Sequence, residues 1–137
     1  MPADADARKY YRAAGQRWDE AKFLQKADMP VGAVYLAGYC VECMLKALIL
    51  CQTPPKKRSE VRELFRGGKA HDYDWLRERY RLQGGSTMPP DVVQAFSEVI
   101  VWETDLRYEP GTMAEDDVLA FMRAADAIRS WADRRMN

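Results

Sequence analysis

Tyr35-Leu36-Ala37-Gly38-Tyr39-Cys40-Val41-Glu42-Cys43-Met44-Leu45-Lys46-Ala47-Leu48-Ile49 decides the fold. It lies in a segment from about residue 30 to 51 that is apolar nearly all round, with Val34, Leu36, Tyr39, Val41, Leu45, Leu48 and Ile49 spread over every face of a helix. A helix with so little polar surface belongs at the centre of a bundle, covered by its neighbours. Two ionisable residues interrupt it, Glu42 and Lys46, one helical turn apart.

Outward from this segment the chain reads as helix after helix. Residues 7–28 place Tyr11, Ala14, Trp18, Ala21 and Leu24 at three- and four-residue steps, one face of a helix. Asp28 is positioned to cap the next helix, and Pro30 sits in its first turn, where a missing N–H costs little. Pro54-Pro55 ends that second helix. A charged stretch from Lys56 to Gly68 can hold a short helix starting at Ser59, broken by Gly67-Gly68. Asp72 reads as the cap of another short helix carrying Trp75, Leu76 and Tyr80. After the loop Gly84-Gly85-Ser86-Thr87, Pro89-Pro90 opens a longer segment with Val92, Phe96, Val99, Ile100 and Leu106. Glu109-Pro110-Gly111 is a turn, and Thr112-Met113-Ala114-Glu115 fits a capping box for a last helix with Val118, Phe121, Ala125, Ile128 and Ala132 inward.

No segment alternates with period two. The expectation is an all-α protein: one domain over residues 1–137, an antiparallel four-helix bundle with one or two short extra helices between the second and third long helices. Lysine plus arginine and aspartate plus glutamate number 21 each, so no net charge draws the chain to nucleic acid or an anionic membrane. The acidic start, Met1 to Asp6, lacks the features of a signal peptide, and the longest apolar run, Ala33 to Val41, is too short for a bilayer. A cytoplasmic location without membrane contact is expected. Three cysteines argue against a disulfide framework.

The string 35–49 resembles the second-helix signature of HEPN domains, where members often read as a small residue, Gly-Tyr, two small residues, Glu, then Leu-Lys-Ala. Two more pieces resemble the family in order: His71-Asp72 followed by Trp75-Leu76, and Leu106-Arg107-Tyr108. The resemblance spans about residues 7–135. It implies a helical bundle, often dimeric. Many members resemble ribonucleases or toxins, some paired with a small MNT-type nucleotidyltransferase antitoxin, and others are non-catalytic partners. Active members carry Arg, four to six residues, then His near the start of the last bundle helix. Here that Arg is Arg107, and Thr112, Met113 and Ala114 stand where the His is expected. Arg66 and His71 have the spacing too, but in another part of the chain and across two glycines.

Glu42 precedes Lys46 in the favourable i,i+4 orientation, either as a structural pair at the bundle edge or as a polar site in its interior. Glu103 and Arg107 repeat the pattern, and Arg107 is placed to reach Glu42. The only histidine, His71, is either a local structural residue or a general base. His71 and Arg107 are thus the catalytic candidates. Glu42, Lys46, His71, Glu103, Arg107 and Tyr108 are the candidates for binding a ligand or phosphate. Cys40 and Cys43 form C-x-x-C in mid-helix and read as core cysteines; no metal site and no cofactor is expected. Residues 56–81 carry nine positive and five negative side chains with Tyr73, Trp75 and Tyr80 interleaved. This is either a solvated face or a surface for RNA phosphates and a stacked base.

The expected function is a HEPN-like interaction module without catalysis, homodimeric, in a toxin–antitoxin-like or nucleotidyltransferase-linked system, with RNA or nucleotide as ligand. A ribonuclease toxin with a non-standard active site and a nucleotide-binding regulator are the alternatives. Surplus apolar residues on the first and last long helices, Trp102 and Trp131 among them, are the expected source of dimerisation.

Overall fold

The computed structural model describes residues 1–101 and 113–137. Among these the chain is all-α, with no strand. Its helices are α1 (Ala5–Lys26), α2 (Pro30–Gln52), α3 (Arg58–Leu64), α4 (Tyr73–Leu82), α5 (Pro90–Val101) and α6 (Glu115–Met136). Short 3-10 turns at Pro55–Lys57 and Gly68–His71 precede α3 and α4. α3 and α4 fill the stretch where one or two short helices are expected. Leu106, Glu103, Arg107, Tyr108, Trp102 and Thr112 lie outside the described residues.

α2 is the centre. It packs along α1 and α6 and touches α4 and α3, while α5 packs on α6. Fourteen of its residues are buried, which is why an all-round apolar sequence suits it. By length and composition α2 alone among the described residues is apolar enough to cross a membrane, but most of that surface is covered by the other helices.

α1 lays a stripe of alanines into the core. Ala7, Ala14 and Ala21 are fully buried at seven-residue spacing, and their small side chains allow close approach, chiefly to α2. The larger residues expected inward, Tyr11 and Trp18, are half-buried along the seam with α6. The Tyr11 hydroxyl donates to Asp133 Oδ1 at 2.5 Å, and the Arg129 guanidinium lies 4.8 Å from the Trp18 ring centre. The hydrogen bond to Asp133 is the main cause that pushes the Tyr11 phenol above its usual pKa.

The turn between α1 and α2 corrects one expectation. Asp28 does not cap α2; Met29 holds that position, with no side-chain cap, and Pro30 begins the helix. Asp28 instead ends α1 in the left-handed region at φ 58°. Its N–H reaches Gln25 O at 3.3 Å, and Met29 N–H reaches Leu24 O at 2.9 Å. These are the two bonds of a Schellman motif, usually built on glycine. α4 ends the same way on Gly84, at φ 87°: Gly84 N–H bonds Arg81 O and Gly85 N–H bonds Tyr80 O. A Cβ on Gly85 would lie 2.5 Å from the Tyr80 ring, so the loop can close only over glycine.

Asp72 caps α4 as expected, accepting from Asp74 N and Trp75 N. The capping box fares differently. α6 starts at Glu115 with Ala114 in the cap position and no side-chain cap. Its first turn relies on Glu115, Asp116 and Asp117, whose charges oppose the positive end of the helix dipole. At the far end of α2, Thr53 Oγ1 donates to Ile49 O at 2.7 Å, and Arg58 Nε donates to Leu50 O and Thr53 O. Arg58 also lies 3.6 Å from Asp4, the cap of α1, so it ties the two helix ends together. Trp131 is buried within the chain, edge-on to Tyr80 at 5.4 Å, and offers no surplus surface. The large apolar side chains that are exposed include Phe23, Met29 and Tyr35, on α1, the following turn and α2.

Candidate functional site: a buried ion pair latched to His71

Glu42 and Lys46 face the interior. Lys46 Nζ donates to Glu42 Oε2 at 3.0 Å, and both residues are about 95% buried, Glu42 at 6% exposed and Lys46 at 5%. The i,i+4 spacing on α2 sets their side chains one above the other. Burial of two charges demands further partners, because desolvation is not recovered by one contact alone. Lys46 finds them in two aromatic faces: its ammonium sits 5.7 Å from the Tyr10 ring centre and 5.6 Å from that of Phe65. Those rings meet edge-on at 5.8 Å, and Phe65 meets Trp75 edge-on at 6.4 Å. Burial, then the neighbouring Cys43, Asp6 and Glu42, raises the Tyr10 pKa above the usual phenol range.

Glu42 uses its second oxygen for His71. Nδ1 of the imidazole is 3.0 Å from Oε1, although the two residues are 29 positions apart. The 3-10 turn Gly68–His71 delivers the ring, with Ala70 buried beneath it and Asp72 starting α4 directly after. A carboxylate only accepts, so Nδ1 carries the hydrogen of this bond and Nε2 is the ring's other polar atom. The His71 side chain is half-exposed at 51%. Thus a buried carboxylate orients a histidine that still meets solvent, the geometry of an oriented base.

The structure therefore brings together three of the six binding candidates, Glu42, Lys46 and His71. The other three, Glu103, Arg107 and Tyr108, lie outside the described residues, so the reach of Arg107 to Glu42 does too. Sequence reasoning missed Tyr10 and Phe65. Tyr10 precedes the Tyr11 chosen for the inward face, and Phe65 stands in a charged stretch; neither carries a local signal of its place over Lys46.

The basic stretch is partly neutralised by ion pairs. Arg62 pairs with Asp6, Arg66 with Glu63 at 3.5 Å, Arg77 with Asp74 at 3.6 Å and Arg81 with Glu78 at 2.5 Å. Tyr73 and Tyr80 are buried, so they are closed to a stacked base. Trp75 is half-buried with Arg79 over its ring at 5.3 Å. Lys56, Lys57, Arg66 and Lys69 stay exposed. A groove of about 430 Å³ between α4 and α5 is lined by the paired Arg77 and Arg81, with Ser86, Met88 and Val93.

Cys40 is a core residue, and Cys43 and Cys51 are partly buried against the core. All three are free, and burial pushes the Cys40 thiol up to about 12 and the Cys43 thiol up to about 11, with Cys51 also raised. Thiols held protonated are poor nucleophiles and poor ligands. Among the described residues no group of three or more histidine, cysteine, aspartate or glutamate side chains is placed to hold a metal ion.

These features define an all-helical domain whose central helix carries a buried Glu–Lys pair latched to a histidine from the segment before α4. The HEPN domain family model matches residues 7–135, nearly the whole chain, and the protein belongs to that family. Neither a curated protein nor a solved structure matches it.

Proposed function

We propose that the protein is a HEPN-domain interaction module without catalysis, whose four long helices form an antiparallel bundle and which acts as a homodimer in the cytoplasm. In this reading its partner is an MNT-type nucleotidyltransferase in a toxin–antitoxin-like system, and its ligand is RNA or a nucleotide. HEPN domains are often related to nucleotides or RNA, which supports the ligand class. One observation carries the absence of catalysis. At the positions where active relatives are expected to hold their histidine, Met113 is half-buried against the core and Ala114 caps α6. Neither can take a proton from a ribose hydroxyl, and general acid–base help is typically worth ~10²–10⁴ in rate.

A ribonuclease with a non-standard site is the second reading, favoured by the Glu42–His71 bond, since an oriented imidazole is what such an enzyme needs. One experiment separates the two: incubation of mixed RNA with wild type, His71→Ala and Arg107→Ala, with binding followed in parallel by fluorescence anisotropy. Binding without cleavage, weakened by Arg107→Ala, is the expected result. Cleavage abolished by either substitution would replace the module with the enzyme.

A further inference from the structure

We propose that residues 65–71 form a hinged strap over Lys46, and that lifting it opens a phosphoryl-anion site on the Lys46 ammonium. The inference rests on the nucleotide- or RNA-binding reading above and assigns the site that reading leaves open. Lys46 is about 95% buried, yet its ammonium, which has three N–H groups, has one oxygen partner among the described residues, Glu42 Oε2. Beside that oxygen the ammonium has the Tyr10 and Phe65 rings as neighbours, their centres 5.7 and 5.6 Å away. A ring face is a weaker acceptor than a phosphoryl oxygen, which forms short charge-assisted bonds with ammonium.

Phe65, buried beside Lys46, begins the strap. At the strap's far end Ala70 is buried in the core and His71 is bonded to Glu42, a side-chain latch that solvent reaches. Between these anchors stand Gly67 and Gly68. The folded state does not require them to be glycine: a Cβ on Gly67 would make only an ordinary 3.5 Å contact, and one on Gly68 would meet nothing within 4 Å. Neither has a positive φ. Two glycines that the closed geometry would exchange for alanine make sense in a segment that also adopts another geometry. The strap itself carries Arg66 and Lys69, both exposed, and Arg66 is held only by Glu63 at 3.5 Å. An anion on Lys46 meets Glu42 as well, whose charge Lys46 already balances; the strap's cations supply the excess that favours phosphate.

Hydrogen exchange on the full chain, read by mass spectrometry, tests this, with α2 peptides reporting global opening. Peptides over 65–72 should exchange at least about tenfold faster than α2, because local opening needs less free energy than unfolding. Gly67→Ala with Gly68→Ala should slow them several-fold. Inorganic phosphate, which binds the lifted strap, should speed them further in wild type and not in Lys46→Met. Glu42→Gln with Lys46→Met, which leaves no stranded charge, serves if the single variant unfolds. AMP and a short RNA oligonucleotide form parallel arms: Lys46-dependent acceleration by phosphate and AMP points to a small phosphate ligand, and by RNA alone to the RNA backbone. Exchange of 65–72 at the rate of α2, or acceleration that survives loss of Lys46, overturns the proposal. RNA binding that persists without any change at 65–72 overturns it too while leaving the module reading intact. A phosphate effect with binding of neither AMP nor RNA does the reverse.

Discussion

Glu42→Ala is the substitution whose outcome follows most directly from the geometry. The mutation removes the sole oxygen acceptor, among the described residues, of an ammonium that is about 95% buried and frees His71 at the same time. Breaking a buried ion pair from one side typically costs about 3–5 kcal/mol, because the surviving charge keeps its desolvation penalty. The aromatic contacts at 5.6 and 5.7 Å remain and offset part of this, on the order of 1 kcal/mol. The better helix propensity of alanine returns only tenths of a kcal/mol on α2. The expected net loss is about 2–4 kcal/mol, a large share of the roughly 5–15 kcal/mol that holds a domain together. Urea melts followed by circular dichroism measure it as a lower midpoint at unchanged slope. Replacing both members, Glu42→Met with Lys46→Met, should recover much of the loss, since apolar substitution of a whole buried pair is often near neutral. A loss below about 1 kcal/mol for Glu42→Ala would be the behaviour of a solvated pair and would refute the interior placement.

Four further tests probe other parts of the structure. Asp28→Gly should gain up to about 1 kcal/mol, because a non-glycine residue at φ 58° carries a left-handed penalty; a loss of stability would mean that the Asp28 side chain contributes more than its backbone costs. Gly85→Ala should lose about 1–3 kcal/mol as its Cβ drives into Tyr80, and a neutral result in the same melts would show that the Schellman turn can shift. Native protein should be modified only slowly at Cys40 and Cys43 by iodoacetamide at pH 8, whereas urea-unfolded protein reacts fully; rapid labelling of both in the folded state would contradict their burial. The same raised thiols set a pH trend. The unfolded chain releases these protons near pH 8.5–9 and the folded chain near 11 to 12, so their contribution is complete below pH ~8.5 and lost as pH rises toward 12. Urea midpoints should fall from pH 8 to pH 10, less steeply in Cys40→Ala; a midpoint that rises would reverse the sign.

Much of this architecture was legible because helix patterns are local. The apolar run 35–49 has one stable place in a helical protein, and Pro30, Asp72 and Gly84-Gly85 are punctuation whose physics acts within a turn. The misreadings arose where one local signal competes with another. Asp28 is a good cap by type, but the preceding helix claimed it first as a left-handed terminus, a role that aspartate fills only with strain. Along α6 alone Trp131 reads as surplus surface, whereas Tyr80 from α4 covers it. The site was half-legible for the same reason. Glu42 and Lys46 are neighbours on one helix, so spacing alone pairs them. The Glu42–His71 bond crosses 29 residues and depends on how a 3-10 turn lands on α2, which no periodicity encodes. Tyr10 and Phe65 over Lys46 are likewise products of packing between elements.

The buried pair is also an argument about what α2 is for. Stability alone does not favour it: two apolar residues at 42 and 46 would complete a helix that is otherwise the driest in the chain, at no desolvation cost. The pair is instead built into a chain of contacts, from His71 through Glu42 to Lys46 and on to Tyr10 and Phe65. Each member fixes the next, so the orientation of an accessible imidazole is set by charges that solvent does not reach. An exposed histidine without that support would sample several rotamers and present no fixed donor or acceptor. Replacing Glu42 by glutamine keeps a hydrogen-bonding group while removing the charge, and replacing it by alanine removes both. If ligand binding survives Glu42→Gln but not Glu42→Ala, orientation of His71 is the property that matters. If both abolish binding while His71→Ala does not, the charge on Glu42 acts through Lys46, and the functional end of the chain is the ammonium under Phe65.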